Sequence, residues 1–514
     1  MTLSQWFIFF IVANIIHGAA TWKFYKKAGI EVWKAFVPFL NMYELMNLLN
    51  RPKWWMIFVY IPIVNLLMMP VLWVQILSVF GKKSSNDKWL AALTFGLYPA
   101  YVNYSEVDKL TYNPEHENDK DTLIGSLIFA VIAATIVHTY FIQPYTIPTG
   151  SLEKSLLIGD YLFVSKFHYG ARTPKTTIST PMVHDTIPFI HLKSYAAFPQ
   201  LPYFRLPGLQ KIKRNEIVVF NWPADTVVRF FDRSTPAQYK PIDKKSHYVK
   251  RCVGIPGDKL EIKNGVLYVN GKKTVYPDRT RLQHLYKVDV NKGQNFSRAT
   301  LTRLVNNYKI KELGRINDSS YVMNLTDDKL AVVKALKNVK EISLYPAGKG
   351  QMFFGYKPDW DINNYGPIYI PKKGDVVKLN KETYPFYKKI IETYDGHDSQ
   401  HQLRNHQVSL KGDTVYIDGK PTESYTVQQD YYWMMGDNRS ESEDSRYWGF
   451  VPFDHVVGKP VFIFFSKGPD GIRWDRVFTT VSGEGKRVSY LIPFLVLVVL
   501  WYFGNKYYKK RKAA

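Results

Sequence analysis

The sequence predicts a mainly β domain held between α-helical membrane segments at both ends. Two observations carry this reading. Between residues 143 and 487 the chain runs in short stretches of β-branched and aromatic residues, punctuated by Asn264-Gly265, Asn270-Gly271 and Asp418-Gly419, dipeptides that favour tight hairpin turns. On either side lie runs without Asp, Glu, Lys or Arg, at residues 122–142 and 488–504. At about 1.5 Å per residue, each is long enough to cross the hydrocarbon core of a bilayer.

The N-terminal elements follow in order. Residues 4–22 form a first apolar span closed by Lys23, Lys26 and Lys27. Residues 28–53 mix apolar and charged positions and read as an interfacial amphipathic segment. Residues 55–80 carry no charge but are interrupted by Pro62, Asn65 and Pro70, so they either cross once with a kink or dip in and return. Residues 90–102 are too short to cross. The expected order is a multi-span or interfacial membrane module over 1–103, a polar linker over 104–121, and an anchor over 122–142.

The β region is expected to hold strands at 216–220, 248–253, 259–262, 266–269, 414–417 and 456–465. Residues 257–262 and 412–417 resemble each other and suggest a paired hairpin motif. A charged stretch with helical patches such as 326–339 reads as a subdomain inserted at about 275–410. After the last span, residues 505–514 hold Lys506, Lys509, Lys510, Arg511 and Lys512, against Lys486 and Arg487 on the other flank. That asymmetry puts the C-terminus in the cytoplasm and residues 143–487 on the outer face.

Composition narrows the function classes. The net charge is +24, but the basic residues are spread out or flank apolar spans, which points to phospholipid and not to nucleic acid. The single cysteine, Cys252, excludes an intramolecular disulfide framework and any cysteine metal cluster. No phosphate-binding or dinucleotide glycine pattern is present. His397 and His401 stand four apart in a polar, loop-like run, so neither cofactor nor metal is expected. Residues 1–22 lack the basic start and small-residue cleavage site of a cleavable leader.

Three separated clusters could carry chemistry. The first is Ile147-Pro148-Thr149-Gly150-Ser151-Leu152, a hydroxyl on a turn fixed by proline and glycine just beyond the anchor. The second runs from Tyr248-Val249-Lys250-Arg251 to Pro256-Gly257-Asp258. The third is Gly436-Asp437-Asn438-Arg439, followed by Ser442, Asp444 and Arg446. Alone, each would read as an ordinary turn or connector.

In this order, after an apolar span, they resemble the bacterial type I signal peptidases (leader peptidases), over residues 122–275 and 410–466. The resemblance implies a mainly β catalytic domain of signal-peptidase type. It implies Ser151 as nucleophile and Lys250 as general base, with the Ser151 N–H and the Thr149 hydroxyl forming an oxyanion hole. Ser442 matches a serine that orients the base, Asp444 and Arg446 an ion pair beneath the site, and Asp437 and Asn438 its supporting loop. Ile147, Pro148, Leu152, Leu156, Tyr248 and Val249 match positions lining small apolar pockets, which accept Ala-like side chains one and three residues before the cut.

Physical chemistry suits this assignment. A serine hydroxyl needs a base, and lysine serves only as the neutral amine, so its pKa must fall from about 10.4 toward neutrality. Burial against apolar neighbours supplies such a fall. Tyr248, Val249 and Val253 are the expected neighbours, with Arg251 turned to the opposite face by strand alternation.

The implied activity is removal of signal peptides from exported preproteins at a bacterial inner membrane, in a multi-pass enzyme. Membrane phospholipid and the export machinery are the further expected partners. A specialised processing peptidase for a pilin- or conjugation-type substrate and a non-catalytic membrane scaffold are the alternatives. The chain departs from the family pattern at Leu152 (usually methionine), Lys154 (often proline) and Ser155 (often threonine). Residues 365–371 suggest an ordered wall near the site.

Overall fold

The computed structural model describes residues 3–114, 123–224, 240–346, 354–355, 357, 360–395 and 406–513. His397 and His401 lie outside them.

The N-terminal region is a packed helical unit. The helix Leu3–Lys27 is followed by Leu40–Leu48, Met56–Tyr60, Val64–Val79, Ser85–Leu93 and Leu97–Ser105, around a core that includes Phe24, Met46, Leu72 and Phe80. Met42, Leu45, Leu48 and Leu49 are buried in it, whereas Trp33, Val37 and Phe39 are exposed, so the 28–53 stretch puts one apolar face into this core and leaves other apolar side chains outside it. The 55–80 run breaks at Pro62, with Ile63 at φ 69°, and Pro70 sits inside the second helix. The unit extends past residue 103, because the Tyr112 hydroxyl donates to the Leu48 carbonyl at 2.8 Å.

Among the described residues, two helices are long and apolar enough to cross a membrane, Ser4–Lys27 and Leu491–Tyr508, and the apolar helix Gly125–Phe141 is shorter. The helix Leu123–Ile136 widens into a π turn at Val137–Phe141 and passes directly into the first strand. Its Ile132 packs against the N-terminal unit.

The main sheet is antiparallel. Its first four strands are β1 (Ile142–Thr146), β2 (Asp160–Ser165), β3 (Ile217–Asn221) and β4 (His247–Gly254). In space the order is β1, β2, Val456–Gly468, β3, β4, Tyr431–Met435 and Val451–Pro452. Every residue of β3 is buried, as its unbroken Ile-Val-Val-Phe run requires of a central strand. The sheet curls, so the Tyr145 ring of β1 returns to 4.9 Å from the His247 ring of β4.

A second β core stands behind, built on Lys259–Lys263, Val266–Val269 and Tyr365–Tyr369. Leu260, Ile368, Trp433 and Phe450 fill it. Asn264-Gly265, Asn270-Gly271 and Asp418-Gly419 all have positive φ at both residues, the conformation tight hairpin turns demand. The expected 275–410 insertion divides in two. Residues 284–344 form a separate four-stranded sheet with two helices and their own core of Val288, Leu304, Met323 and Val333. Residues 365–395 belong to the second β core. The 326–339 patch is helical only over Asp327–Lys334, and its end passes into the strand Val339–Leu344.

Candidate functional site

Ser151 sits in a single 3₁₀ turn, Gly150–Leu152, which follows β1 after Ile147, Pro148 and Thr149. Thr149 is extended at the head of this turn and its side chain caps nothing. Leu152 is 2% exposed and pins the turn into a core shared with Ile147, Leu156, Leu162 and Val219. Between the buried Leu152 and the exposed Thr149, Ser151 itself is half-buried. The turn packs against β4. Among the described residues, neither the Ser151 N–H nor its hydroxyl has a hydrogen-bond partner within the chain.

Lys250 lies on β4 opposite Val218 of β3 and is 3% exposed. Burial drives its amine down to about 8, partly countered by the Asp444 carboxylate and reinforced by the Arg446 charge. Its Nζ lies 5.6 Å from the centre of the Tyr248 ring. Of its three expected apolar neighbours, only Tyr248 shares its face. Val249 faces the Ile147–Leu156 core, and Val253 belongs to the second β core. Alternation also divides the expected pocket residues. Ile147, Leu152, Leu156 and Val249 gather in one cluster, whereas Tyr248 stacks with Trp222 and meets Trp448 edge-on at 5.2 Å. Pro148 is exposed beside the turn.

The loop after Tyr431–Met435 supports both groups. The Asn438 N–H donates to the Ser151 carbonyl at 3.0 Å, and Asn438 Nδ2 donates to the Gly150 carbonyl at 3.3 Å. A Cβ on Gly436 would come within 2.2 Å of Ser442 Oγ and 2.5 Å of the Ser151 carbonyl oxygen, so only glycine fits between them. Ser442 Oγ is buried and makes no hydrogen bond; the expected bond to the base is absent here, although the hydroxyl lies beside the nucleophile's backbone. Asp444 and Arg446 form a buried pair, with Arg446 Nε 2.9 Å from Asp444 Oδ1 and Nη2 2.9 Å from Oδ2. Asp444 also accepts from the Gly436 N–H at 3.1 Å, which ties the ion pair to the loop. Of residues 365–371, Tyr365, Ile368 and Ile370 are buried in the second β core, and Tyr365 lies close enough to act on the Arg446 charge.

Sequence reading missed two anchors. Arg251 turns away from Lys250, as expected, and there grips Asp437 with a two-pronged ion pair at 2.7 and 2.5 Å. Glu153, two residues after the serine, is buried and paired with Lys311 of the inserted subdomain at 2.8 Å. The partners stand far apart in sequence, so no spacing announces either pair.

Comparison with known proteins bears on this arrangement. Residues 121–332 and 368–465 match the family model described as signal peptidase, peptidase S26. The chain belongs to that family. Residues 33–112 separately match a family of unknown function, DUF5684. Signal peptidase I of Buchnera aphidicola (subspecies Baizongia pistaciae) is 25% identical over 68% of this chain and 79% of the relative. That of Helicobacter pylori is 24% identical over 71% and 94%. A crystal structure of signal peptidase I from Enterococcus faecalis aligns at 14% identity over 49% of this chain and 98% of that one, with a TM-score of 0.16. As a member of the family the chain is a peptidase acting on preproteins that carry signal peptides.

Proposed function

We propose that the chain cleaves signal peptides with a serine–lysine dyad, Ser151 as nucleophile and Lys250 as base. The observation that carries this is a buried lysine, its amine lowered to about 8, on the strand against which the Ser151 turn packs. Near neutral pH roughly a tenth of such amines is unprotonated, far more than for an ordinary lysine, and a general base requires that form. Lys250 takes the Ser151 proton as Oγ attacks the scissile carbonyl. The Ser151 N–H and the Thr149 hydroxyl hold the resulting oxyanion. The Lys250 ammonium then returns the proton to the departing amine, and a water activated by the regenerated amine releases the acyl group. Ser442, whose buried Oγ is left without a partner, is assigned the orienting of the base on the family resemblance.

The substrate is read as an extended strand in the gap where β1 and β4 approach each other. Ile147, Leu152, Leu156 and Val249 form its apolar floor and favour small residues, in the Ala-x-Ala manner, at one and three residues before the cut; Pro148 and Tyr248 flank that floor. The catalytic domain lies on the outer face of the membrane, anchored by residues 122–142 and 488–504, and draws on phospholipid and the export machinery. Anchoring raises the effective concentration of a substrate tethered to the same bilayer. The test is cleavage of a preprotein with an Ala-x-Ala junction, in detergent or liposomes, by wild type and Lys250→Ala. Cutting after the second alanine by wild type alone supports the reading; equal cutting by both defeats it.

A further inference from the structure

We infer that the inserted subdomain over residues 284–344 is part of the catalytic apparatus, with Lys311 and Glu153 as a positioning pair that holds the turn presenting Ser151. This rests on the serine–lysine reading above.

The contacts come from both halves of the site. Lys311 Nζ lies 2.8 Å from Glu153 Oε1, and the Glu153 N–H closes the Ser151 turn by donating to the Gly150 carbonyl at 2.9 Å. The Glu153 side chain is 8% exposed and that of Lys311 60%, so the carboxylate is the buried partner and depends on the lysine for its counter-charge. The next residue, Lys154, adopts φ 69°, a left-handed conformation that costs a non-glycine residue of order 1 kcal/mol. It is held there by its Nζ donating to the Lys309 carbonyl at 2.9 Å. Across the site, Asn324 Nδ2 donates to Asn438 Oδ1 at 2.9 Å, and Asn438 is the residue that grips the Ser151 and Gly150 carbonyls.

The subdomain is built to present these groups. Ile310, 2% exposed, is sunk into its core, and Lys309 and Glu312 around it both take positive φ. That conformation turns the Lys309 carbonyl and the Lys311 amine toward the nucleophile turn. A second tie runs through Gln283 at the subdomain's edge. Its Nε2 donates to the Glu153 carbonyl at 3.1 Å, and its backbone pairs with Asp437 and Arg439. The 3₁₀ turn is one turn long and has no helix behind it, so its position is set by what it is tied to. Displacing a nucleophile by about 1 Å can lower turnover up to roughly a hundredfold.

The experiment uses full-length protein in liposomes with the Ala-x-Ala preprotein. Lys311→Ala and Glu153→Gln each lower kcat about tenfold with KM and the pH midpoint of the rate unchanged, and Lys311→Arg restores most of the loss. The double variant Lys311→Ala/Glu153→Gln is no slower than the worse single one, as expected for residues acting through one contact. Unchanged kcat in both single variants, or losses that multiply in the double variant, overturns the pairing. Lys311 is on the surface, so a folding defect does not stand in for the effect. Inactive wild type would instead count against the peptidase reading itself.

Discussion

Lys250 and Arg251 are neighbours on one strand, both nearly sealed from solvent, and the fold treats their charges in opposite ways. Arg251 faces Asp437, whose charge and hydrogen bonds outweigh burial and hold the guanidinium above its ordinary range. Lys250 faces the Tyr248 ring and has no ion-pair partner within reach among the described residues; burial prevails and the amine falls to about 8. Arg446 repeats the first solution with Asp444. The lesson is that burial alone does not neutralise a cation; burial without a hydrogen-bonded carboxylate does. On one strand, Arg251 is held as a structural cation and Lys250 is left as a reactive amine.

The largest effect is expected from removing the reactive groups. Ser151→Ala and Lys250→Ala should each lower turnover by about four orders of magnitude or more while leaving the protein folded, by analogy with triad deletions. Retained turnover measured on the preprotein would break the contrast outright. The structural cation should fail differently: Asp437→Ala leaves a buried Arg251 unpaired and should destabilise the protein by about 3–5 kcal/mol, read from denaturant or thermal unfolding. A loss below about 1 kcal/mol would mean that Arg251 is not held as described.

Lys250→Met sharpens the comparison further. The amine's pKa is about 8 in the fold and near 10.5 when unfolded, so wild type carries a penalty of about 3 kcal/mol below pH 8. Because the unfolded chain binds more protons between pH 8 and 10.5, wild-type stability should rise across that window. The inactive Lys250→Met protein should therefore be the more stable of the two at pH 6, with the gap closing by pH 10. By the same titration the cleavage rate should climb with pH and level off above about 8; a flat profile from pH 6 to 9 would count against Lys250 as base.

Thr149→Val removes one oxyanion donor and should slow cleavage by about two to three orders of magnitude; an unchanged rate removes Thr149 from the site. The smallest effect is expected at Leu152→Met, which restores the residue usual in the family within a packed core. It should cost less than about 1.5 kcal/mol and leave kcat unaltered.

Local rules made much of this molecule legible in its sequence. Charge-free runs of sufficient length marked the helices at 123–141 and 491–508, because a long apolar stretch has few alternatives to a helix. The Asn-Gly and Asp-Gly turns fell where both residues must adopt positive φ. The serine turn and the lysine strand were visible because the chemistry needs those residue types, and the family resemblance linked them. Tertiary structure alone decided the rest. Within residues 28–53 only packing decided which apolar positions, such as Met46, enter the core and which, such as Trp33 and Phe39, stay exposed. The inserted region divided because its two halves bury their apolar residues against different sheets. That Glu153 reaches Lys311 or Arg251 reaches Asp437 depends on contacts across more than a hundred residues of chain. Composition and periodicity describe a residue's own neighbourhood, whereas charge pairing and desolvation are set by whatever the fold brings alongside.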